Sequence, residues 1–425
     1  MSKVIIKPSR LSGTINIPPS KSYSHRGLIA ASIAGGGSKI NNLLFSKDIL
    51  ATIDCLKSIN VEFEIGTDYA IVNNNELKIV NSDMPCKESG STIRFMIPIA
   101  AAIGGKTKFY GEGRLVSRPL DPYLSIFDKQ GISYSMNDKE LPLCIDGKLV
   151  ADSFDVPGDI SSQFITGLLF ALPLLTNKSE ININTKLESK NYVDLTIDIM
   201  KQFGVKVNSN EDYSKFTIEG NQTYKPFDYT IEGDYSQAAF WIVAAIIGDD
   251  LRLAKLSDQS LQGDKEIIDI VKRMGADIKF EDGLLKVKKS KTIGTVIDVA
   301  QIPDLVPILA VLASLSEGRT TIINGERVRL KESDRLQAIA CELNKIGGNI
   351  IETKDGLIIE GVGKFTGGNV EGWNDHRIVM ALTVASLVCS EDLTINDSRA
   401  VDKSYPHFFE DFAKLGGNVD ELHME

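Results

Sequence analysis

A pattern that returns six times along the chain governs what it can fold into: an apolar residue, two intervening positions, a second apolar residue, glycine or asparagine, and then a strand-like run. The copies are Leu56-Lys57-Ser58-Ile59-Asn60-Val61, Phe127-Asp128-Lys129-Gln130-Gly131-Ile132, Met200-Lys201-Gln202-Phe203-Gly204-Val205, Val271-Lys272-Arg273-Met274-Gly275-Ala276, Leu343-Asn344-Lys345-Ile346-Gly347-Gly348 and Phe412-Ala413-Lys414-Leu415-Gly416-Gly417. Gln130 takes one apolar position in the second copy, and Asn60 stands in the first where the others have glycine. Helices end readily on a residue in the left-handed conformation, which glycine adopts freely and asparagine tolerates. Each copy therefore reads as a capped helix end followed by a strand. Successive caps, from Asn60 to Gly131, Gly204, Gly275, Gly347 and Gly416, lie 71, 73, 71, 72 and 69 residues apart.

Upstream of every cap lies a second, more apolar helical segment, over residues 25–34, 91–103, 162–175, 235–247, 304–315 and 376–388. These segments carry few charges beyond their first turn, which predicts buried helices, with the capped helices nearer the surface. Strand-like runs such as Thr107-Lys108-Phe109-Tyr110, Ile181-Asn182-Ile183, Leu251-Arg252-Leu253 and Thr320-Thr321-Ile322-Ile323 separate the two helices. One unit is a strand, an apolar helix, a strand, a capped helix and two more strands. A chain of 425 residues exceeds one ordinary core, so the expectation is an α/β protein of two domains, each with three βαβαββ repeats around buried parallel helices.

Charge narrows the class of ligand. The chain has 47 Lys and Arg against 57 Asp and Glu, a net charge of −10, which argues against a nucleic-acid surface and requires any anion to be held by a local cluster. No segment reaches the roughly 18 uninterrupted apolar residues of a membrane span, and Met1-Ser2-Lys3-Val4-Ile5-Ile6-Lys7 has no signal-peptide core, so a cytoplasmic protein is expected. The five cysteines (Cys55, Cys86, Cys144, Cys341, Cys389) are scattered and form no Cys-x-x-Cys pair, which indicates neither a disulfide framework nor a zinc site.

The starts of the apolar helices carry the unusual residues: Ser24-His25-Arg26, Gly90-Ser91-Thr92-Ile93-Arg94, Ser161-Ser162-Gln163, Gly233-Asp234-Tyr235-Ser236, Pro303-Asp304 and Asn374-Asp375-His376-Arg377. Three of the six place an arginine in the first turn, where a cation opposes the helix dipole and an anionic ligand would remove the conflict. Pro18-Pro19-Ser20-Lys21-Ser22-Tyr23-Ser24-His25-Arg26 is the densest of these stretches, although alone it reads equally as a capped surface helix. In Leu330-Lys331-Glu332-Ser333-Asp334-Arg335-Leu336 the spacing puts Lys331 and Arg335 on one side if the segment is helical. Arg118, before Pro119 in a glycine-flexed loop, is expected to be extended. A surface ion-pair cluster and a plain connecting loop are the alternatives for these two stretches.

Taken in order, Pro19-Ser20-Lys21-Ser22, Gly90-Ser91-Thr92-Ile93-Arg94, Arg118-Pro119, Ser161-Ser162-Gln163-Phe164, Ser189-Lys190-Asn191-Tyr192, Ile302-Pro303-Asp304, Lys331-Glu332-Ser333-Asp334-Arg335, Asn374-Asp375-His376-Arg377 and Asp402-Lys403-Ser404-Tyr405-Pro406 resemble the motifs of the 5-enolpyruvylshikimate-3-phosphate synthase family over nearly the whole chain. The resemblance implies the enolpyruvyl transferase fold, with residues 16–231 as one domain, 1–15 and 232–425 as the other, and the active site in the cleft between them. It implies transfer of the enolpyruvyl group of phosphoenolpyruvate to the 5-hydroxyl of shikimate 3-phosphate, with release of phosphate, on the route to chorismate. Carried over by motif, Lys21, Ser22, Arg26, Ser161, Ser162, Gln163, Ser189, Tyr192, Asp304 and Lys331 would bind shikimate 3-phosphate. Lys21, Gly90, Arg118, Gln163, Arg335, Arg377 and Lys403 would surround phosphoenolpyruvate. Asp304 would take the hydroxyl proton and Glu332 would protonate the methylene carbon, with Lys21 and His376 assisting. No metal or organic cofactor is implied, no partner beyond the two small substrates, and a monomer is expected. Gly90 would border a pocket shared with the herbicide glyphosate.

Two positions depart from the family's common form, Glu88 ahead of the glycine loop and Arg327 ahead of Lys331. A sister transferase acting on UDP-N-acetylglucosamine would need a reactive cysteine in the loop that here reads Arg114-Leu115-Val116-Ser117-Arg118. A polyanion-binding repeat protein would have interchangeable helix starts, whereas these six differ from one another.

Overall fold

The computed structural model describes residues 2–74 and 76–423. The chain forms two compact units, one running from Lys21 to Ile231 and the other made of the chain up to Ser20 together with everything from Glu232 onward. The first holds α1 (Lys21–Ile33), α2 (Lys47–Ser58), α3 (Gly90–Ile103), α4 (Asp121–Gln130), α5 (Ser162–Ala171) and α6 (Lys190–Gln202). The second holds α7 (Tyr235–Ile247), α8 (Ile267–Arg273), α9 (Val306–Ser314), α10 (Arg335–Lys345), α11 (His376–Ala385) and α12 (Phe408–Lys414).

Odd-numbered helices are the apolar ones, and they form the cores. In α1 every residue from Tyr23 to Ile33 is buried, and α7 is buried from Tyr235 to Ile246, with Trp241 wholly inside. Within their own units α3 packs on α5, and α7, α9 and α11 pack on one another. Even-numbered helices bury one stripe only, and all six of their closing residues are left-handed: Asn60 (φ 73°), Gly131 (66°), Gly204 (82°), Gly275 (105°), Gly347 (94°) and Gly416 (108°). The repeat is thus terminated by the same backbone device each time.

Each repeat closes into a four-stranded sheet, three per unit. Asp83–Pro85 lies parallel to Gly105–Tyr110, which pairs antiparallel with Glu140–Gly147, which in turn pairs with Ser133–Asn137. The other five sheets follow this order, three of them with one strand taken from a remote part of the chain. Gly13–Asn16 runs straight toward α1 but pairs with Leu251–Ala254, while Tyr229–Thr230 runs toward α7 but pairs with Ser38–Asn41. Ser2–Lys7 fills the last repeat between Leu393–Asn396 and Asn418–His423.

The first crossing falls after Ser20, five residues later than the expected break at residue 15. The physical reason is local: Asn16 is still in register with Ala254, the Ile17 amide donates to the Ala254 carbonyl (3.1 Å), and Pro19 bridges to Gly233. Among the described residues no helix is long and apolar enough to cross a membrane.

Candidate active site

Pro18 and Pro19 end the preceding extended segment, and the unit from Lys21 to Ile231 opens on α1 at Lys21. The Lys21 ammonium donates to Asp48 Oδ2 (2.7 Å), an acid in the first turn of α2 that sequence reasoning passed over. One turn along α1, the Arg26 guanidinium is buried and donates to Thr196 Oγ1 (2.9 Å), the Ser22 carbonyl (2.8 Å), the Tyr192 carbonyl (3.0 Å) and Thr166 Oγ1 (3.4 Å). It also lies over the Phe95 and Tyr192 rings. All of these partners are neutral, and burial pulls the Arg26 pKa down to about 10. A buried cation in this state carries a charge that the folded chain has not balanced.

Two of the residues expected around it share helix faces with its partners. Ser162 precedes Thr166 by four residues on α5 and Tyr192 precedes Thr196 by four on α6, so each shares a helix face with a hydroxyl that holds Arg26. Ser161 caps α5 by accepting from the Gln163 amide (3.3 Å), and Ser189, left-handed at φ 53°, stands just before α6. His25 is a different case. Burial, reinforced by Lys21 and Arg26, holds it well below its ordinary pKa, and its Nδ1 pairs with Thr52 Oγ1 (2.7 Å) in a hydroxyl chain with Thr92 and Ser89. His25 therefore fastens α1 to α2 and α3 as a neutral group.

A second cluster gathers at the start of α3. Helix α3 begins at Gly90 itself, one residue earlier than expected, because the Ser89 hydroxyl accepts from the Thr92 amide (3.2 Å). Arg94 NH1 donates to Gln163 Oε1 (2.9 Å), and Gln163 Nε2 donates to Ser91 Oγ (2.9 Å). Arg118 is extended (φ −69°, ψ 136°), as its proline requires, at the end of a short 3-10 turn over Gly113–Ser117. A Cβ on Gly90 would stand 2.8 Å from Arg118 NH1 and 3.0 Å from Arg94 NH1. The missing side chain is therefore what lets two guanidinium groups close over a helix N-terminus. The sequence shows Arg94 only as a first-turn cation, with nothing in its type or spacing to give it a partner.

In the other unit the charges are arranged oppositely, with cations and acids interlocked. Arg335 is 1 % exposed and donates Nε to Asp375 Oδ2 (2.8 Å), NH1 to Asp304 Oδ1 (2.7 Å) and NH2 to Glu332 Oε2 (2.7 Å). Asp304, on a 3-10 turn (Pro303–Leu305) that leads into α9, also meets Arg377 NH2 (3.3 Å) and Lys331 Nζ (3.5 Å). Burial alone would push the Asp304 carboxyl up, but Arg377, Lys331 and Arg335 outweigh it and hold it well below the usual carboxylate range. Burial lowers the Lys331 ammonium, and Arg335 and Arg327 add to that effect. His376 Nδ1 lies 3.8 Å from Asp375 Oδ1, and Lys403 Nζ donates to the Asn374 carbonyl (2.6 Å).

The helical spacing assumed for Lys331 and Arg335 does not occur. Asp334 accepts from the Gln337 amide (3.1 Å) and starts α10 at Arg335, leaving Lys331 extended. The two cations still meet, at Asp304 Oδ1. Asp264, which nothing in the sequence singled out, is buried behind this cluster. Its Oδ2 accepts from Ser236 Oγ, and burial followed by the charge of Asp304 pushes its pKa up to about 7. The departures find places too: Arg327 donates to the Ala300 carbonyl near Lys331, and the Glu88 carboxylate packs against Gly113. Among the described residues no group of three or more His, Cys, Asp or Glu side chains is placed to hold a metal ion.

The model of the family "EPSP synthase (3-phosphoshikimate 1-carboxyvinyltransferase)" matches residues 5–412. The chain is 52 % identical over 434 residues to the 3-phosphoshikimate 1-carboxyvinyltransferase of Clostridium novyi and 49 % identical over 437 residues to that of Clostridioides difficile, covering 100 % of each protein and of itself. A solved EPSP synthase from Acinetobacter baumannii superposes with a TM-score of 0.85 at 26 % identity, over 100 % of both chains. With its sixfold fold, its motifs in order and full-length relatives at half identity, the chain belongs to the EPSP synthase family.

Proposed function

We propose that the two sets of residues divide one reaction between them, the unit containing Arg26 holding the acceptor and the unit containing Asp304 supplying the proton chemistry. As a member of this family the chain is a transferase that moves the enolpyruvyl group of phosphoenolpyruvate to shikimate 3-phosphate in the shikimate pathway. The observation that carries the division is Arg26, a buried guanidinium whose partners are all neutral. An incoming phosphate or carboxylate satisfies it, and Arg pairs with such oxygens in fork geometry. Ser22, Ser161, Ser162, Ser189 and Tyr192 add hydroxyl donors for the same anion. Lys21 and Gln163 stand between the two substrates. Gly90, Arg118, Arg335, Arg377 and Lys403 take phosphoenolpyruvate, and Lys331 lies beside the acceptor.

In the addition step the acceptor's 5-hydroxyl oxygen bonds to C2 of phosphoenolpyruvate while its proton passes to Asp304 and C3 gains a proton from Glu332. In the elimination step the C2–O bond to phosphate breaks, C3 gives up a proton, and the double bond re-forms. Lys21 and His376 assist these transfers, and the surrounding cations stabilise charge developing on carboxylate and phosphate. The enzyme is proposed to work as a cytoplasmic monomer, which rests on the sequence reading. A phosphate-release assay tests the function: release should require both shikimate 3-phosphate and phosphoenolpyruvate, and its absence with both present would overturn the reading.

Gly90 yields a sharper expectation. Gly90→Ala would press a methyl against the Arg118 and Arg94 guanidinium ends, which are flexible, so the fold should survive while the donor pocket shrinks. The inhibition constant for glyphosate, which is longer than phosphoenolpyruvate, should rise much more than the Michaelis constant for phosphoenolpyruvate. Steady-state kinetics with glyphosate varied against phosphoenolpyruvate checks this, and equal shifts in both constants would remove Gly90 from the donor site.

A further inference from the structure

Trp373 and Asn374 are consecutive non-glycine residues in the left-handed region, at φ 55° and 48°. Among the described residues the only other such neighbouring pair is Asp138–Lys139, which makes the two-residue turn of the hairpin between Ser133–Asn137 and Glu140–Gly147, where left-handed residues are the norm. Trp373 and Asn374 have no hairpin to serve. They lead directly into the Asp375-His376-Arg377 start of α11. Asparagine tolerates this conformation, but for a bulky residue such as tryptophan it is an outlier that the surroundings must enforce.

The enforcement comes from α10. Glu342 is completely buried, accepts from the Trp373 indole Nε1 (2.7 Å) and the Glu371 amide (3.0 Å), and is balanced by Lys345 (2.7 and 2.9 Å). It follows Arg335 by seven residues, two turns along the same helix face, and Arg335 grips Asp375. Helix α10 thus holds the turn at both ends. In between, Gly372 has no room for a side chain, since a Cβ there would lie 2.5 Å from the Asn396 carbonyl oxygen. What this strained turn presents is the Asn374 carbonyl, 2.6 Å from Lys403 Nζ.

We infer that Glu342 and Trp373 are a positioning pair for the donor site, locking the left-handed turn so that the Asn374 carbonyl aims the Lys403 ammonium at phosphoenolpyruvate. The inference rests on the assignment of Lys403 to that substrate. Neither residue touches a reacting atom, and both act through Lys403.

Steady-state kinetics of Trp373→Phe, Lys403→Met and the double variant test it. Trp373→Phe removes the indole donor and should raise the Michaelis constant for phosphoenolpyruvate by roughly tenfold, the scale of one hydrogen bond to a charged group, while that for shikimate 3-phosphate stays where it is. In the Lys403→Met background the tryptophan change should add nothing, because the group it positions is gone. An unaltered phosphoenolpyruvate constant in Trp373→Phe, or losses that multiply in the double variant, would overturn the inference. An unaltered constant in Lys403→Met alone would overturn the assignment of Lys403 instead. Should Trp373→Phe fail to fold, Glu342→Gln, which keeps the shape and removes the charge, is read against the same constants with the shikimate 3-phosphate constant as the check on folding.

Discussion

Arg335→Ala is expected to lower the stability of its unit by about 3–5 kcal/mol, the usual loss when one partner of a buried ion pair is removed. The wild-type side chain sits among Asp375, Asp304 and Glu332, and burial works against its charge, yet the three acids overcome that and hold the guanidinium above its ordinary pKa. Removing it leaves three carboxylates facing one another without the one cation that all three share. A sign follows for pH. In the wild type Arg335 holds Asp375 low against the effect of burial. That contribution is present above the unfolded carboxylate pKa of about 3.9 and is lost only as pH falls through the lower folded value. Without Arg335 the crowded acids rise above their unfolded values and cost stability as pH climbs. The gap between variant and wild type should therefore narrow when urea denaturation is repeated at lower pH. Arg335→Lys keeps one charge but reaches fewer acids, and should fall between the two. Equal denaturation midpoints at neutral pH would show that the network contributes nothing.

Local chemistry is what the sequence could display. A left-handed cap needs glycine or asparagine, so all six helix ends were legible, Asn60 included, and a helix buried all round needs an apolar run, so the odd-numbered helices were legible within a few residues. Pairing between remote segments leaves no such trace. Gly13–Asn16 and Tyr229–Thr230 are four and two residues long, and nothing in either says that it joins a sheet other than the one its sequence position suggests. Asp48, 27 residues from Lys21, looks like any acid in a first helical turn. Asp375 was seen within its motif, but its role as anchor for Arg335, 40 residues away, is tertiary. Asp264 belongs to the same class. The helical spacing read into Lys331 and Arg335 failed because Asp334 is a strong N-cap and starts the helix after Lys331. Trp373 was hidden for the converse reason: its residue type gives no hint of a left-handed turn, and the carboxylate that holds its indole lies on α10, 31 residues away.

Asp304→Ala should reduce turnover by roughly 10²–10⁴-fold, the ordinary worth of a general base, with the Michaelis constant for shikimate 3-phosphate little changed. The structure sharpens why. With Arg335, Arg377 and Lys331 all against it, the Asp304 carboxyl is held below the usual carboxylate range despite its burial, which weakens it as a base. Anionic substrates bound as proposed would compete for Arg377 and Lys331, and each cation drawn away would raise the proton affinity of the carboxylate. On the proposed assignment the base would be strengthened by the arrival of the molecules it acts on. Removing it leaves those cations less compensated, so the phosphoenolpyruvate constant should hold or fall even as turnover collapses. A separate stability loss is expected, because a carboxylate held low in the folded state contributes above its unfolded pKa and loses that contribution only as pH falls through the folded value. Asp304→Asn separates the two effects: the amide keeps the shape and one acceptor oxygen for Arg335 but cannot take a proton. Turnover in Asp304→Asn above about a tenth of wild type would leave no room for a general-base role, and a sharp rise in the phosphoenolpyruvate constant would mean that Asp304 chiefly orders the cations around it.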